Sequence, residues 1–143
     1  MMEKNILALD LGKGSIGIAI SRSGSFISPL PEKRFKAGEY EEALEAVKDV
    51  MKQETVESIV IGWPTFPSGD PCEMTPIVES FIEKLKVAFP SLPIHPVDER
   101  NTTVEAAARF HESGQSSRKQ RKKIDSGAAS IILERYLHSI GQY

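Results

Sequence analysis

Cysteine is almost missing from this sequence: Cys72 is the single one in 143 residues. No disulfide can form within the chain, and no Cys/His grouping has the spacing of a zinc site. Long apolar runs are missing as well. The first, Ile6-Leu7-Ala8-Leu9, is cut short by Asp10, and nothing approaches the ~18 apolar residues of a membrane helix. The opening Met1–Asn5 is polar, so no secretory signal is expected and the chain reads as cytoplasmic, with no membrane partner. An excess of one charge is also lacking: 18 Lys and Arg face 20 Asp and Glu, for a net −2. That excludes a bulk polycation. Aromatic residues are few, and there is neither an internal repeat nor a low-complexity tract.

What is present is a composition able to build a core. At 40% hydrophobic and 27% charged, residues 1–143 are expected to form one domain without staples. The charge is unevenly placed. Arg118, Lys119, Arg121, Lys122 and Lys123 crowd into six positions, while acids gather over 39–57. A local anion-binding surface is compatible with that asymmetry, and so is a plain solvated face.

Ile6–Leu9 reads as a strand buried on both faces. Gly12-Lys13-Gly14 supplies a turn, and Ile16, Ile18 and Ile20 alternate with small residues, so the first two strands form an antiparallel hairpin. Phe26-Ile27 begins a third strand, which Pro29 and Pro31 are expected to interrupt. The period then changes. Tyr40, Ala43, Leu44, Val47, Val50 and Met51 predict an amphipathic helix over 39–54. Val56–Ile61 is the next buried strand, stopped by Gly62 and Pro64. Ile77, Val78, Phe81, Ile82, Leu85 and Phe89 mark a helix after about Met74. Ile94–Val97 is a short fifth strand. A third helix is expected over 102–112, then a flexible basic loop over 113–123, then a last helix over 124–139. A leading hairpin followed by α/β crossovers requires a mixed five-stranded sheet with helices on both faces, an α/β fold.

Three acidic positions carry the chemistry. Asp10 continues the Ile6/Ala8 face of a strand covered on both sides, where an unpaired carboxylate is costly. It reads either as a turn residue bonding the backbone of Gly12 or Lys13, or as a metal ligand that Gly12 and Gly14 leave open to approach. Asp98-Glu99-Arg100 ends the fifth strand, a favoured place for ligand sites. Alternation lets only one of Asp98 and Glu99 face Asp10's side; the other can cap the helix opened by Thr102 and Thr103. Arg100 can orient a carboxylate or grip a phosphate with two hydrogen bonds. Asp125 complements a helix dipole, yet it lies on the face of Ala128, Ala129 and Ile132, which should pack on the sheet. Three acids from three elements suit a hard divalent cation, Mg2+ or Mn2+, of the kind that activates water in phosphodiester hydrolysis. His95, His111 and His138 are isolated and read as surface or packing residues.

Four blocks together resemble the YqgF/RuvX family: Asp10-Leu11-Gly12 with Ile16-Gly17-Ile18-Ala19; Ile61-Gly62-Trp63-Pro64 with Gly69; Asp98-Glu99-Arg100 with Thr102-Thr103 and Ala106; and Lys123-Ile124-Asp125 with Ala128-Ala129, Ile132-Leu133 and Tyr136-Leu137. They span almost the whole chain in order. The resemblance implies a ribonuclease H-like fold and a bacterial cytoplasmic nuclease acting on pre-16S ribosomal RNA, or, by an older label, on Holliday junctions. It puts the family's acidic positions on Asp10, the Asp98-Glu99 pair and Asp125. Two departures touch substrate contacts: Ser15 stands where many members carry Arg, and Trp63 with Thr65-Phe66-Pro67 replaces a Gly-Leu-Pro segment and an Asn-containing loop.

Nucleic acid, as structured RNA or branched DNA, is therefore the expected partner. Residues 118–123 lie directly before Asp125, where they can clamp phosphates. No aromatics interleave with those cations, which argues against stacking on bases from that segment. A resolvase cutting two strands symmetrically requires a homodimer. Two other readings compete. An actin-like or sugar-kinase ATPase also begins with Asp-x-Gly and a hairpin, but needs two lobes. A non-catalytic nucleic-acid-binding module of the same fold would bind without cleaving.

Overall fold

The structure is a computed structural model; it describes residues 5–24, 26–99 and 117–141, with the side chains of 117–126 outside the description. Along the chain it has β1 (Ile6–Leu11), β2 (Ser15–Ser21), β3 (Ile27–Arg34), α1 (Tyr40–Gln53), β4 (Ser58–Trp63), α2 (Met74–Ala88), β5 (Ile94–Asp98) and α3 (Ser117–Ser139). The strands form one sheet in the order β3-β2-β1-β4-β5. β1 pairs antiparallel with β2 and parallel with β4. β2–β3 is antiparallel and β4–β5 parallel. The sheet is mixed, as the hairpin and crossovers require.

Strand alternation divides the apolar residues between two cores. Leu7, Leu9 and Leu11 of β1, Ile16, Ile18 and Ile20 of β2, and Ile59 and Ile61 of β4 pack under α1 and α2. The opposite face presents Ile6, Ala8, Ala19 and Val60 to Ala129, Ile132, Leu133, Tyr136 and Leu137 of α3. Helices thus cover both faces. Many of these Leu, Ile and Phe side chains are fully buried, each worth about 1.5–3 kcal/mol relative to exposure. Small residues dominate where α3 crosses β1 and β2 (Ala8, Gly17, Ala19), and its own Gly127, Ala128 and Ala129 are buried too.

Three expected elements differ. β3 does not stop at Pro29 but runs on through Pro31 to Arg34. It is an edge strand, and Pro31 falls where its register against β2 shifts between Leu30 and Lys33, so neither proline need remove a ladder hydrogen bond. β4 continues past Gly62 to Trp63, because Gly62 and Trp63 still pair with Val97 and Asp98. The last helix begins at Ser117 rather than 124. The basic residues Arg118, Lys119, Arg121, Lys122 and Lys123 therefore lie on helical backbone, not in a loop; Arg, Lys and Gln are good helix formers. The helix expected over 102–112 lies outside the described residues. Among the described residues, no helix is long and apolar enough to cross a membrane.

Candidate active site at the carboxyl ends of the strands

Asp10 sits near the end of β1, directly across from Gly17. The β1–β4 register pairs Leu9 with Ile61, so its continuation sets Gly62 beside Asp10 on the other flank. The acid stands between two residues without side chains. The Gly12 N–H of the following turn donates to the Ser15 carbonyl at 2.8 Å, so the hairpin closes through its backbone.

Glu99 follows β5, and its N–H donates to the Trp63 carbonyl at 3.4 Å. The parity that puts His95 and Val97 on the α3 face continues to Glu99, while Asp98 falls on the other face and is exposed. Of the pair, Glu99 is the one that meets Asp10. Its carboxyl lies over Gly62: a Cβ built there would come 2.9 Å from Glu99 Cδ and 2.7 Å from Ile132 Cδ1. Sheet and helix thus enclose the carboxyl. Burial, then the charge of Asp10 and a hydrogen bond to it, push the Glu99 carboxyl up to about 9. At neutral pH the proton stays on Glu99, whose O–H donates to the Asp10 carboxylate.

α3 runs past this site from the open end inward. Ile132 lies over Gly62, and Tyr136, one turn later, stacks on His95 with ring centroids 5.2 Å apart. Residues before Ile132 therefore lead out beyond the carboxyl ends of β1, β4 and β5. Asp125 is on this stretch, two turns (about 10 Å) before Ile132; its side chain is outside the described residues, as are those of Arg118, Lys119, Arg121, Lys122 and Lys123. Arg100 is outside them altogether. Asp98 contributes its carbonyl, which accepts from Arg135 Nη1 at 2.8 Å and ties β5 to α3. His95 is a packing residue and His138 is exposed; His111 is not described.

No sequence pattern points to Cys72, yet it acts electrostatically on Glu99. It precedes α2, where the Thr75 hydroxyl, 3.5 Å from Sγ, and nearby backbone N–H groups pull its thiol below the ordinary range. Thr75 Oγ1 also donates to the Pro64 carbonyl at 2.6 Å and accepts from the Cys72 N–H at 2.8 Å. The one signal for this brace is the Cys-x-x-Thr spacing before a helix, a pattern too common to notice alone. Lys13 and Glu73 pair at 2.7 Å across the same end of the molecule. Among the described residues, no three His, Cys, Asp or Glu form a metal-binding group; Asp10 and Glu99 make two.

A family model described as RuvX, Holliday junction resolvase, matches residues 4–139. A relative from Chlorobium phaeobacteroides (strain BS1) is 36% identical over 145 residues, covering 96% of this chain and 94% of its own. One from Corynebacterium jeikeium (strain K411) is 35% identical over 131 residues, covering 92% and 84%. Both carry names that provisionally assign them as pre-16S rRNA nucleases. The Thermus thermophilus RuvC structure aligns over 96% of this chain and 97% of its own with a TM-score of 0.53 at 12% identity. At that identity the likeness concerns the fold, which is ribonuclease H-like. Matched from residue 4 to residue 139, this chain belongs to the RuvX family.

Proposed function

We propose that this chain, acting as one domain, is a divalent-metal-dependent nuclease that hydrolyses phosphodiester bonds. The observation that carries this is the Asp10–Glu99 pair, two carboxyl groups pressed together at the strand ends with one proton between them. Like-charged oxygen donors that must share a proton are poised to exchange it for a cation. The donor set fits Mg2+ or Mn2+, which take oxygen ligands, and Gly62 leaves the floor of the site clear. Asp10, Glu99 and Asp125 are the residues that would hold the ion. Bound there, it would lower the pKa of a water molecule and stabilise charge on the leaving oxygen. The chain's own groups do the rest. Asp10 and Glu99 dispose of the shared proton, Ile132 excludes bulk water from one side, and Arg100 with residues 118–123 grips phosphates.

The substrate we assign is the precursor of 16S ribosomal RNA, cut at its 5′ end in the cytoplasm; the relatives' names describe a nuclease of pre-16S rRNA and go no further. A second reading, cleavage of branched DNA by a homodimer, takes its substrate from the family's description as a Holliday junction resolvase. One experiment separates them. Purified protein is given Mg2+ or Mn2+ with a pre-16S RNA fragment and, in parallel, a four-way DNA junction, with chelator and Asp10→Asn controls. Metal-dependent cutting of the RNA at its 5′ flank supports the first reading, and paired symmetric cuts in the junction support the second. Binding that survives chelation and Asp10→Asn, with no cleavage under either metal, would instead identify a non-catalytic binding module.

A further inference from the structure

The nine residues from Pro64 to Cys72 join β4 to the approach of α2, and both ends of this loop stand on the site. The carbonyl of Trp63, just before it, accepts from the Glu99 N–H, and Thr75 Oγ1 ties the Cys72 N–H to the Pro64 carbonyl, which brings the far end back beside Trp63. Its interior is cross-bonded. The Phe66 N–H donates to the Asp70 carbonyl at 2.9 Å, the Gly69 N–H donates to the Phe66 carbonyl at 2.8 Å, and Thr65 bridges to Pro71. Gly69 takes a φ of 93°, which a side chain would resist. The Ser68 hydroxyl donates to Asp70 Oδ2 at 3.1 Å.

At the head of this braced turn Phe66 is 54% exposed. Single exposed apolar residues are ordinary, and Phe26, at 73%, is another. Their positions separate them. Phe26 follows β2, at the end of the sheet where Ile6 pairs with Ser21, remote from Asp10. Phe66 is three residues beyond Trp63, so its Cα lies within about 10 Å of the residue that holds Glu99. Hydrogen bonds at its own N–H and C=O fix its backbone in advance, so little ordering entropy remains to be lost when a ligand meets the ring.

We propose that Phe66 is a specificity residue that stacks on an unpaired nucleobase close to the scissile phosphate, so the preferred substrate is a strand with an unpaired nucleotide at the cut. This rests on the nuclease reading above and narrows its substrate class. A paired base has both faces covered by its neighbours in the stack, whereas an unpaired base offers one to an aromatic ring, whichever sugar it carries. The stacking surface comes from the β4–α2 loop; residues 118–123, which carry no aromatic, would grip phosphates only.

The test uses the full chain and two labelled oligonucleotides, one fully paired and one with an unpaired 2-aminopurine beside the cleavage position, each made in RNA and in DNA. For Phe66→Ala, KM for the unpaired substrate should rise roughly five- to hundredfold, since stacking on one base is worth ~1–3 kcal/mol and ~1.4 kcal/mol is tenfold. Its kcat and its KM for the paired substrate should stay within about twofold of wild type. Phe66→Trp should restore KM, and Phe66→Leu, apolar but without a π-face, should not. Wild type should quench 2-aminopurine fluorescence under chelation, and Phe66→Ala should not. Equal effects on both substrates, or rescue by Leu as complete as by Trp, would overturn the proposal. If wild type cleaves nothing, the nuclease reading fails, and the quenching under chelation still decides whether Phe66 stacks.

Discussion

At Gly62 a methyl group would come within 2.7 Å of Ile132 Cδ1 and against the Glu99 carboxyl, so the absence of a side chain there is part of how Glu99 is held. Ile132 can rotate away at a cost of about 1–3 kcal/mol, the usual range for overpacking; Glu99 can only leave. Gly62→Ala is therefore expected to fold with a lowered melting temperature and to lose roughly ten- to hundredfold in activity or metal affinity, as happens when the groups supporting a metal site are disturbed. Wild-type Mn2+ affinity and turnover in that variant would show that the Glu99 seat is dispensable. Asp10→Asn should abolish cleavage while nucleic-acid binding and folding persist. It should also bring the Glu99 titration down from about 9, because the charge of Asp10 is a leading cause of the rise; carboxyl NMR shifts measure that. Asp10 and the Asp98-Glu99 pair are legible in the sequence because they sit where a buried strand is expected to go on or to end. The choice between Asp98 and Glu99 is not. Ile94-His95-Pro96-Val97 does not alternate cleanly, so the phase of β5 appears only once β4 is paired beside it. Gly62 meets Glu99 through a tertiary contact and Cys72 acts on it across the fold, and no local spacing announces either.

Two helices can be read from periodicity because their buried residues recur at fixed steps, Ala43, Leu44, Ala46 and Val47 in α1 and Val78, Phe81, Ile82 and Leu85 in α2, whereas β1 and β4 are read as short apolar runs buried on both faces. The elements that differ do so where a local rule yields to position. Pro29 and Pro31 argue against a central strand, but β3 is at the edge, where they also discourage pairing with another chain. A run of cations suggests a loop at 113–123, although Arg, Lys and Gln favour helix when their charges face water. Placing Arg118, Lys119, Arg121, Lys122 and Lys123 on the first turns of α3 sharpens the prediction for them. Replacing all five with Gln keeps helix propensity while removing charge, so circular dichroism should be unchanged. Binding to RNA and junction DNA should weaken for all sequences alike. The slope of log affinity against log salt should flatten by roughly 0.7–0.9 for each phosphate that the variant no longer neutralises. Wild-type affinity and slope in the quintuple variant would reduce the run to a solvated helix face.

Across the whole molecule, the proton held by Glu99 links stability, pH and metal. In the unfolded chain Glu99 ionises near 4.5, but in the fold it keeps its proton to about 9. Between those values the folded state binds more protons than the unfolded one, so raising the pH destabilises the fold. The stabilisation is complete below 4.5 and gone above about 9. Other shifted groups act elsewhere or oppose it. Glu41, lowered by Lys84, and Glu54, lowered by Arg22, lose their contribution as pH falls below the ordinary carboxylate range. The Cys72 thiol, lowered by Thr75, adds stability as it ionises, and a Cys72→Ala background removes that opposing trend. In that background, with chelator, the melting temperature should fall steadily between about pH 5 and pH 9. A cation bound by the two carboxylates displaces the proton, so its affinity should rise over the same window. Saturating Mn2+ binds the fold and not the unfolded chain, which should flatten or reverse the decline. Glu99→Gln carries no titrating proton and should show neither the decline nor the pH-dependent rescue. If Glu99→Gln keeps the slope of its parent in chelator, the proton belongs to another group and the shared Asp10–Glu99 site is wrong. If the parent shows the slope but Mn2+ leaves it unchanged, the pair is a structural hydrogen bond rather than a metal site.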